Sequence, residues 1–253
     1  MRGFSLVELS IVLVILGLLT GGILGGQSLI RAAELRSLTS DMQRYSAAVN
    51  SFRDKYFGLP GDITNATQFW GAAHATPADC KTTYSTNTTC NGDGNGRINY
   101  HLAHSYEPFR FWQQLALAGL IEGTYGGVGA NSITDYAKPG VSVPTSKLSN
   151  VGFFAIHEDS VLGGTYHYDG SYGNYFRIGS DDGAGWLNTP SIKPEELWNI
   201  DKKMDDGRPA FGKILSWKST YSANCTTTDV SSTAEYALTQ TGKNCNIIYI
   251  PGF

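Results

Sequence analysis

The feature that most constrains this chain is an apolar run without a single charge, from Leu9 to Ile30. Its length is enough to cross a bilayer as a helix, for which roughly 20 residues are needed. Glu8 stands at the head of that run. A carboxylate in hydrocarbon costs on the order of a few kcal/mol even on lenient insertion scales. Either the run stays out of the membrane, or something near Glu8 neutralises it. A secretory signal peptide would place a positive charge first, then a shorter apolar stretch, then a small-residue cleavage site. Arg2 supplies the charge, but Glu8 interrupts, and no such site follows the run. No cysteine follows it closely either, which leaves a lipoprotein anchor without support. An ordinary transmembrane anchor is the plain alternative.

The junction itself, Arg2-Gly3-Phe4 followed by Ser-Leu-Val-Glu8-Leu, resembles the class III leader junction of type IV prepilins and type II secretion pseudopilins. The resemblance covers the first thirty or so residues and combines Gly, Phe and Glu at fixed spacing with an uninterrupted apolar run. It implies that a dedicated prepilin peptidase cuts between Gly3 and Phe4 and methylates the new amine of Phe4. Residues 1–3 are then the leader, shorter than most in that family, and residues 4–30 the hydrophobic assembly helix. It also gives Glu8 a partner. The positive terminus of Phe4 on an adjacent subunit would pair with the carboxylate, making two costly charges into one satisfied pair and setting the register between helices. Gly17, Gly21, Gly22, Gly25 and Gly26 crowd the far half of the run. Each costs about 1 kcal/mol relative to Ala in a helix interior. They permit close helix packing, or they let this part of the helix unwind in a filament.

Beyond Arg31 the pattern changes. Leu38, Met42, Tyr45, Val49, Phe52 and Tyr56 recur at steps of four and three, one stripe on a helix. Residues 31–57 are therefore expected to continue the same helix and lay that stripe on a globular domain, residues 58–253. Gly58, Pro60 and Gly61 in FGLPGD end it.

A mild net charge of −3, 30 glycines and 14 tyrosines suit a loop-rich exported domain, with no basic stripe to suggest a nucleic-acid partner. The four cysteines lack the short spacing of zinc or redox sites. An even count behind an export-type N-terminus reads as two disulfides. Of three connectivities, the local one, Cys80 with Cys90 and Cys225 with Cys245, is the most economical; crossed bridges and free thiols are the alternatives.

Within residues 62–102, Asn91-Gly-Asp93-Gly-Asn95-Gly96-Arg-Ile98 resembles the first two-thirds of an EF-hand calcium loop. Asn91, Asp93 and Asn95 hold the first, third and fifth positions, and Gly96 the sixth. Leu102 stands where a bidentate Glu belongs, so a remote carboxylate such as Glu107 would have to replace it. The competing reading is a Gly/Asn/Asp turn beside a disulfide.

A second helix is predicted over Pro108–Ile121, with Phe109, Trp112, Leu115 and Ala116 buried. Strands are predicted at VGFFAI, TYHY, NYFRI, KILSW and NIIYI, with a hairpin turn at Asp169-Gly170-Ser171 between the second and third. An amphipathic helix starts at Pro194, carrying Leu197, Ile200 and Met204. Its sequence, KPEELWNIDKKMDDGRPAFGKI, is similar to a helix–turn–strand module of some large prepilin-like proteins. Asp201, Asp205 and Asp206 there read as a solvated helix end and turn rather than a second metal site. Helices first and strands after give an α+β fold with an antiparallel sheet. This agrees with the pilin-like arrangement of a long spine helix, its first half in the membrane, packed on a C-terminal sheet domain.

For function, an enzyme is not expected. The five histidines show no metal-ligand spacing, His101 and His104 lack a third ligand, and no nucleophile elbow or phosphate loop occurs. The resemblance implies a structural subunit of a type IV pilus or pseudopilus. Its partners would be itself or sibling pilins, the prepilin peptidase, the inner-membrane assembly platform, and lipid before assembly. It would sit in a bacterial inner membrane with its domain in the periplasm, then in a periplasmic or extracellular filament. The second expectation is a minor pilin or tip adhesin whose domain binds a surface, glycan or secreted substrate. The Tyr-rich TYHYDGSYGNYF segment and the polar Cys225–Cys245 loop keep it open.

Overall fold

A computed structural model describes residues 6–80, 82–101, 105–130, 136–183 and 185–253. Helix α1, Leu6–Tyr56, is one unbroken helix of 51 residues, about 76 Å long at 1.5 Å per residue. Its two halves differ physically. From Leu6 to Ile30 the large apolar side chains are exposed all round, and the helix is long and apolar enough to cross a membrane. From Leu38 onward, Leu38, Met42, Tyr45, Val49 and Phe52 are buried against the domain, as their spacing predicts. Tyr56, the last of the stripe, is only half-buried, in an aromatic group with Phe52, Phe69 and Trp70.

Short helices α2 (Ala66–Trp70) and α3 (Pro77–Cys80) and a two-stranded ladder of β1 (Tyr100–His101) and β2 (Ser105–Tyr106) lead into α4, Glu107–Leu117. Pro108 occupies the first turn of α4, where its missing N–H costs nothing. Gly119 follows the helix at φ +70°, a left-handed position suited to glycine. The predicted one-sided burial of α4 is an underestimate, since every residue from Glu107 to Leu115 is buried. The helix lies between two walls. Trp112 packs edge-on to Tyr45 of α1 at 5.1 Å and stacks on Phe176 at 5.5 Å.

Phe176 belongs to the main sheet, formed by β3 (Val151–Val161), β4 (Gly170–Ser180), β5 (Ile214–Leu215) and β6 (Ile247–Tyr249), all antiparallel in the order β3-β4-β6-β5. Helix α5, Pro194–Met204, lies between β4 and β5 in sequence. The chain is thus α+β, with an apolar N-terminal helix and a C-terminal antiparallel sheet.

One predicted strand is absent. TYHY, residues 165–168, lies in the β3–β4 connection, and Gly170 pairs with Val161, so the hairpin joins VGFFAI to NYFRI directly. The reason is tertiary. Tyr168 is fully buried beside Ala210 and Ala234, its hydroxyl bonded to Thr226 at 2.8 Å, while Tyr166 stacks on Tyr221 at 4.8 Å. These rings find partners in the 210–236 segment, so they need no neighbouring strand.

Candidate functional site

Two places are candidates for a site: the exposed half of α1 and an acidic pocket near its far end. Gly3 and Phe4, the predicted processing site, lie outside the described residues. Glu8 is exposed in the first described turns of α1. Along the apolar half the few hydroxyls are satisfied within the helix. Thr20 donates to the Leu16 carbonyl at 2.9 Å and Ser28 to that of Gly25 at 2.8 Å. Such back-bonding hides polar groups from an apolar surrounding. A Cβ added at Gly17, Gly21, Gly22, Gly25 or Gly26 would meet nothing within 4 Å. Among the described residues, no packing therefore calls for glycine at those five positions.

Where the apolar half ends, Arg31 forks onto Glu196 of α5, with Nε and Nη2 each donating at 2.7 Å, and also reaches Glu34 at 3.2 Å. Glu196 in turn accepts the N–H of Lys193, completing the first turn of α5. Burial pushes the Glu196 carboxyl up, but the Arg31 guanidinium together with the N–H and charge of Lys193 outweighs it and holds the group below its usual range.

The acidic pocket gathers Asp62, Asp93 and Glu107, whose carboxylate oxygens lie within 4.8 Å of one another. Asp62 follows the turn after α1, Asp93 sits in the loop after the first disulfide, and Glu107 opens α4. Asp62 is the organiser. Its Oδ1 accepts N–H bonds from Gly94 at 2.9 Å and Asn95 at 3.1 Å, and its Oδ2 accepts one from Gly96 at 2.9 Å. Gly94 and Gly96 have φ near +73° and +79°, and a Cβ on Gly92 would strike the Asp62 backbone at 2.3 Å. The alternating glycines thus let the loop wrap a buried carboxylate.

Of the expected ligand set, Asp93 and the remote Glu107 are brought together, and Leu102 lies outside the described residues. Asn91 and Asn95 are used otherwise. Asn91 Oδ1 accepts the Thr67 N–H of α2 at 2.9 Å, and Asn95 Oδ1 accepts that of Arg97 at 2.8 Å. Asp62 is the carboxylate that sequence reasoning missed. Burial pushes Glu107 up to about 8 and raises Asp62, with the neighbouring carboxylates adding to both. No Lys or Arg forms an ion pair with any of the three among the described residues.

Behind the pocket, α4 turns a polar face to the first disulfide loop. Arg110 donates to the carbonyls of Cys80 at 2.8 Å and Thr83 at 2.7 Å, and Gln114 to that of Cys90 at 3.1 Å. Both disulfides are local, Cys80–Cys90 and Cys225–Cys245. Asp201, Asp205 and Asp206 also approach within 4.8 Å, yet each builds a turn. Asp201 accepts from Tyr236 at 2.7 Å and Gly207 at 3.0 Å, Asp205 from Lys213 and Ile214, and Asp206 from Arg208 at 2.8 Å. In the Tyr-rich segment Tyr168, Tyr172 and Tyr175 are core residues, and Tyr166 is the exposed one.

Comparison with protein-family models, curated proteins and solved structures finds no match.

Proposed function

We propose that this chain is a membrane-anchored α+β subunit made for lateral association through its N-terminal helix. More particularly, we read it as a structural, non-enzymatic subunit of a type IV pilus or related pseudopilus. The carrying observation is the first half of α1, whose large apolar side chains are exposed all round, with no part of its most apolar stretch buried among the described residues. Such a surface needs lipid or other helices around it. Lipid serves before assembly, and copies of the same helix or of sibling pilins serve afterwards. Glycines with open space beside them favour close approach of those helices.

In this reading the chain is cut between Gly3 and Phe4, Phe4 is methylated, and Glu8 takes the neighbouring amine as its partner. The assembly platform extracts the subunit from the inner membrane, and the sheet domain passes into the filament wall. Replacing Glu8 by Gln leaves cleavage intact and stops incorporation into filaments. Normal polymerisation of that variant would contradict the proposal.

Calcium belongs to the same reading as a structural ligand of the acidic pocket. Three carboxylates make a hard, oxygen-only donor set suited to a cation of that kind, and their charge has no Lys or Arg ion pair among the described residues. Asp62, Asp93 and Glu107 would hold it. Minor-pilin or adhesin behaviour is the second reading, favoured by the exposed Tyr166, which stacks on the half-buried Tyr221. Abundance separates the two, since a major subunit dominates sheared filaments.

A further inference from the structure

At the point where α1 loses its apolar character, cations from three distant parts of the chain converge. A pocket of about 390 Å³ is walled by Gln27, Ile30 and Arg31 of α1, by Lys193 at the start of α5, and by Lys243 from the second disulfide loop. Two acids, Glu34 and Glu196, also line it, and both are engaged by the Arg31 guanidinium at 3.2 and 2.7 Å. Lys193 and Lys243 are exposed, and neither forms an ion pair among the described residues. Three cations against two acids leave a net charge of +1, and the lysines carry that excess.

The height of this pocket along α1 is fixed by arithmetic. The uncharged stretch Leu9–Ile30 holds 22 residues, which as a helix rise about 33 Å against a hydrocarbon core of about 30 Å. Arg31 and the pocket therefore stand at the level of the lipid headgroups when α1 spans the bilayer. Ile30 and Leu29 below it are exposed and apolar, a surface for acyl chains. Compact ammonium groups bind phosphate as point charges and need no fixed geometry from the ligand.

We propose that this pocket is a seat for the headgroup of an anionic phospholipid, with the phosphate held between Lys193 and Lys243. The seat rests on reading α1 as a membrane span before assembly. It would hold the globular domain against the leaflet with the spine upright, and the contact would have to break when the subunit is drawn into a filament.

The test is native mass spectrometry of the full chain reconstituted in nanodiscs with equal phosphatidylglycerol and phosphatidylcholine. A basic residue near an anionic surface is worth about fivefold in binding, so two lysines give a preference for phosphatidylglycerol adducts of about 25-fold. Lys193→Gln with Lys243→Gln brings the ratio near unity, while Lys55→Gln, at the opposite end of α1, leaves it unchanged. Equal adducts for the unmodified chain, or an unaltered ratio in the double variant, would overturn the seat while leaving the span intact. A chain that does not stay with the disc at all overturns the span and the seat together.

Discussion

Arg31 and Glu196 form a two-pronged ion pair, both contacts 2.7 Å, that ties the spine to α5 where the apolar run stops. The pair is only partly exposed, and the same carboxylate caps α5. It therefore couples the direction of α1 to the packing of α5, in the connection between β4 and β5.

Arg31→Ala should lower the stability of the full chain in detergent by about 1.5–3 kcal/mol, the range for hydrogen bonds to a charged group. Glu196→Gln should cost a similar amount, because it removes the charge while keeping one acceptor for the α5 cap. The double variant should cost less than the sum of the two, since the pair is shared. Chemical denaturation followed by tryptophan fluorescence reads this. Strict additivity would mean that the two residues act independently.

Glu107 sets a pH dependence of definite sign. Its folded value of about 8 lies above its ordinary 4.5, so the folded state holds a proton that the unfolded chain releases. Its stabilisation is present below pH 4.5 and is lost as pH climbs towards 8. In chelator, Tm should fall over that interval, and Glu107→Gln should flatten part of the fall. Asp201, pushed up to about 7, and Asp62, also raised by burial, contribute in the same direction, while His167, lowered to about 4 by burial, opposes them below its ordinary 6.5. Calcium at pH 8 should raise Tm of the unmodified chain and not of Glu107→Gln. An identical shift in both would place calcium elsewhere.

How much of this was legible in sequence depended on how far apart the interacting residues lie. The buried stripe of α1 was readable because Leu38 to Phe52 obey one helical period against one surface. Helices α4 and α5 announce themselves through Pro108 and Pro194 in their first turns. The local disulfides needed only economy of loop closure. Asp62 was hidden because its partners Gly94 and Gly96 come 32 and 34 residues later. Nothing in FGLPGD distinguishes that carboxylate from an ordinary turn residue. TYHY misled because its alternation suits a strand, whereas its rings are claimed by Ser and Thr-rich loops far along the chain. The buried Arg110 and Gln113 on α4 escaped for the same reason: their acceptors sit in the disulfide loop.

Replacing Gly21, Gly22 and Gly25 together by Ala should strengthen the isolated helix, at about 1 kcal/mol per site. The added methyls meet nothing within 4 Å among the described residues. Helix content by circular dichroism should hold or rise, and the sheet domain should be unaffected. Filament yield should fall sharply, since both close helix approach and local unwinding depend on the glycines. Full yield from the triple variant would leave them without an assembly role.

The central claim, that this chain is processed and built into a filament, meets its most direct test in the mass of the chain recovered from sheared surface filaments. The account predicts a polypeptide that begins at Phe4, carries one extra methyl group on its terminal amine, and keeps both disulfides. A chain that retains Met1–Gly3, or that is found only in the membrane and never in filaments, would contradict it.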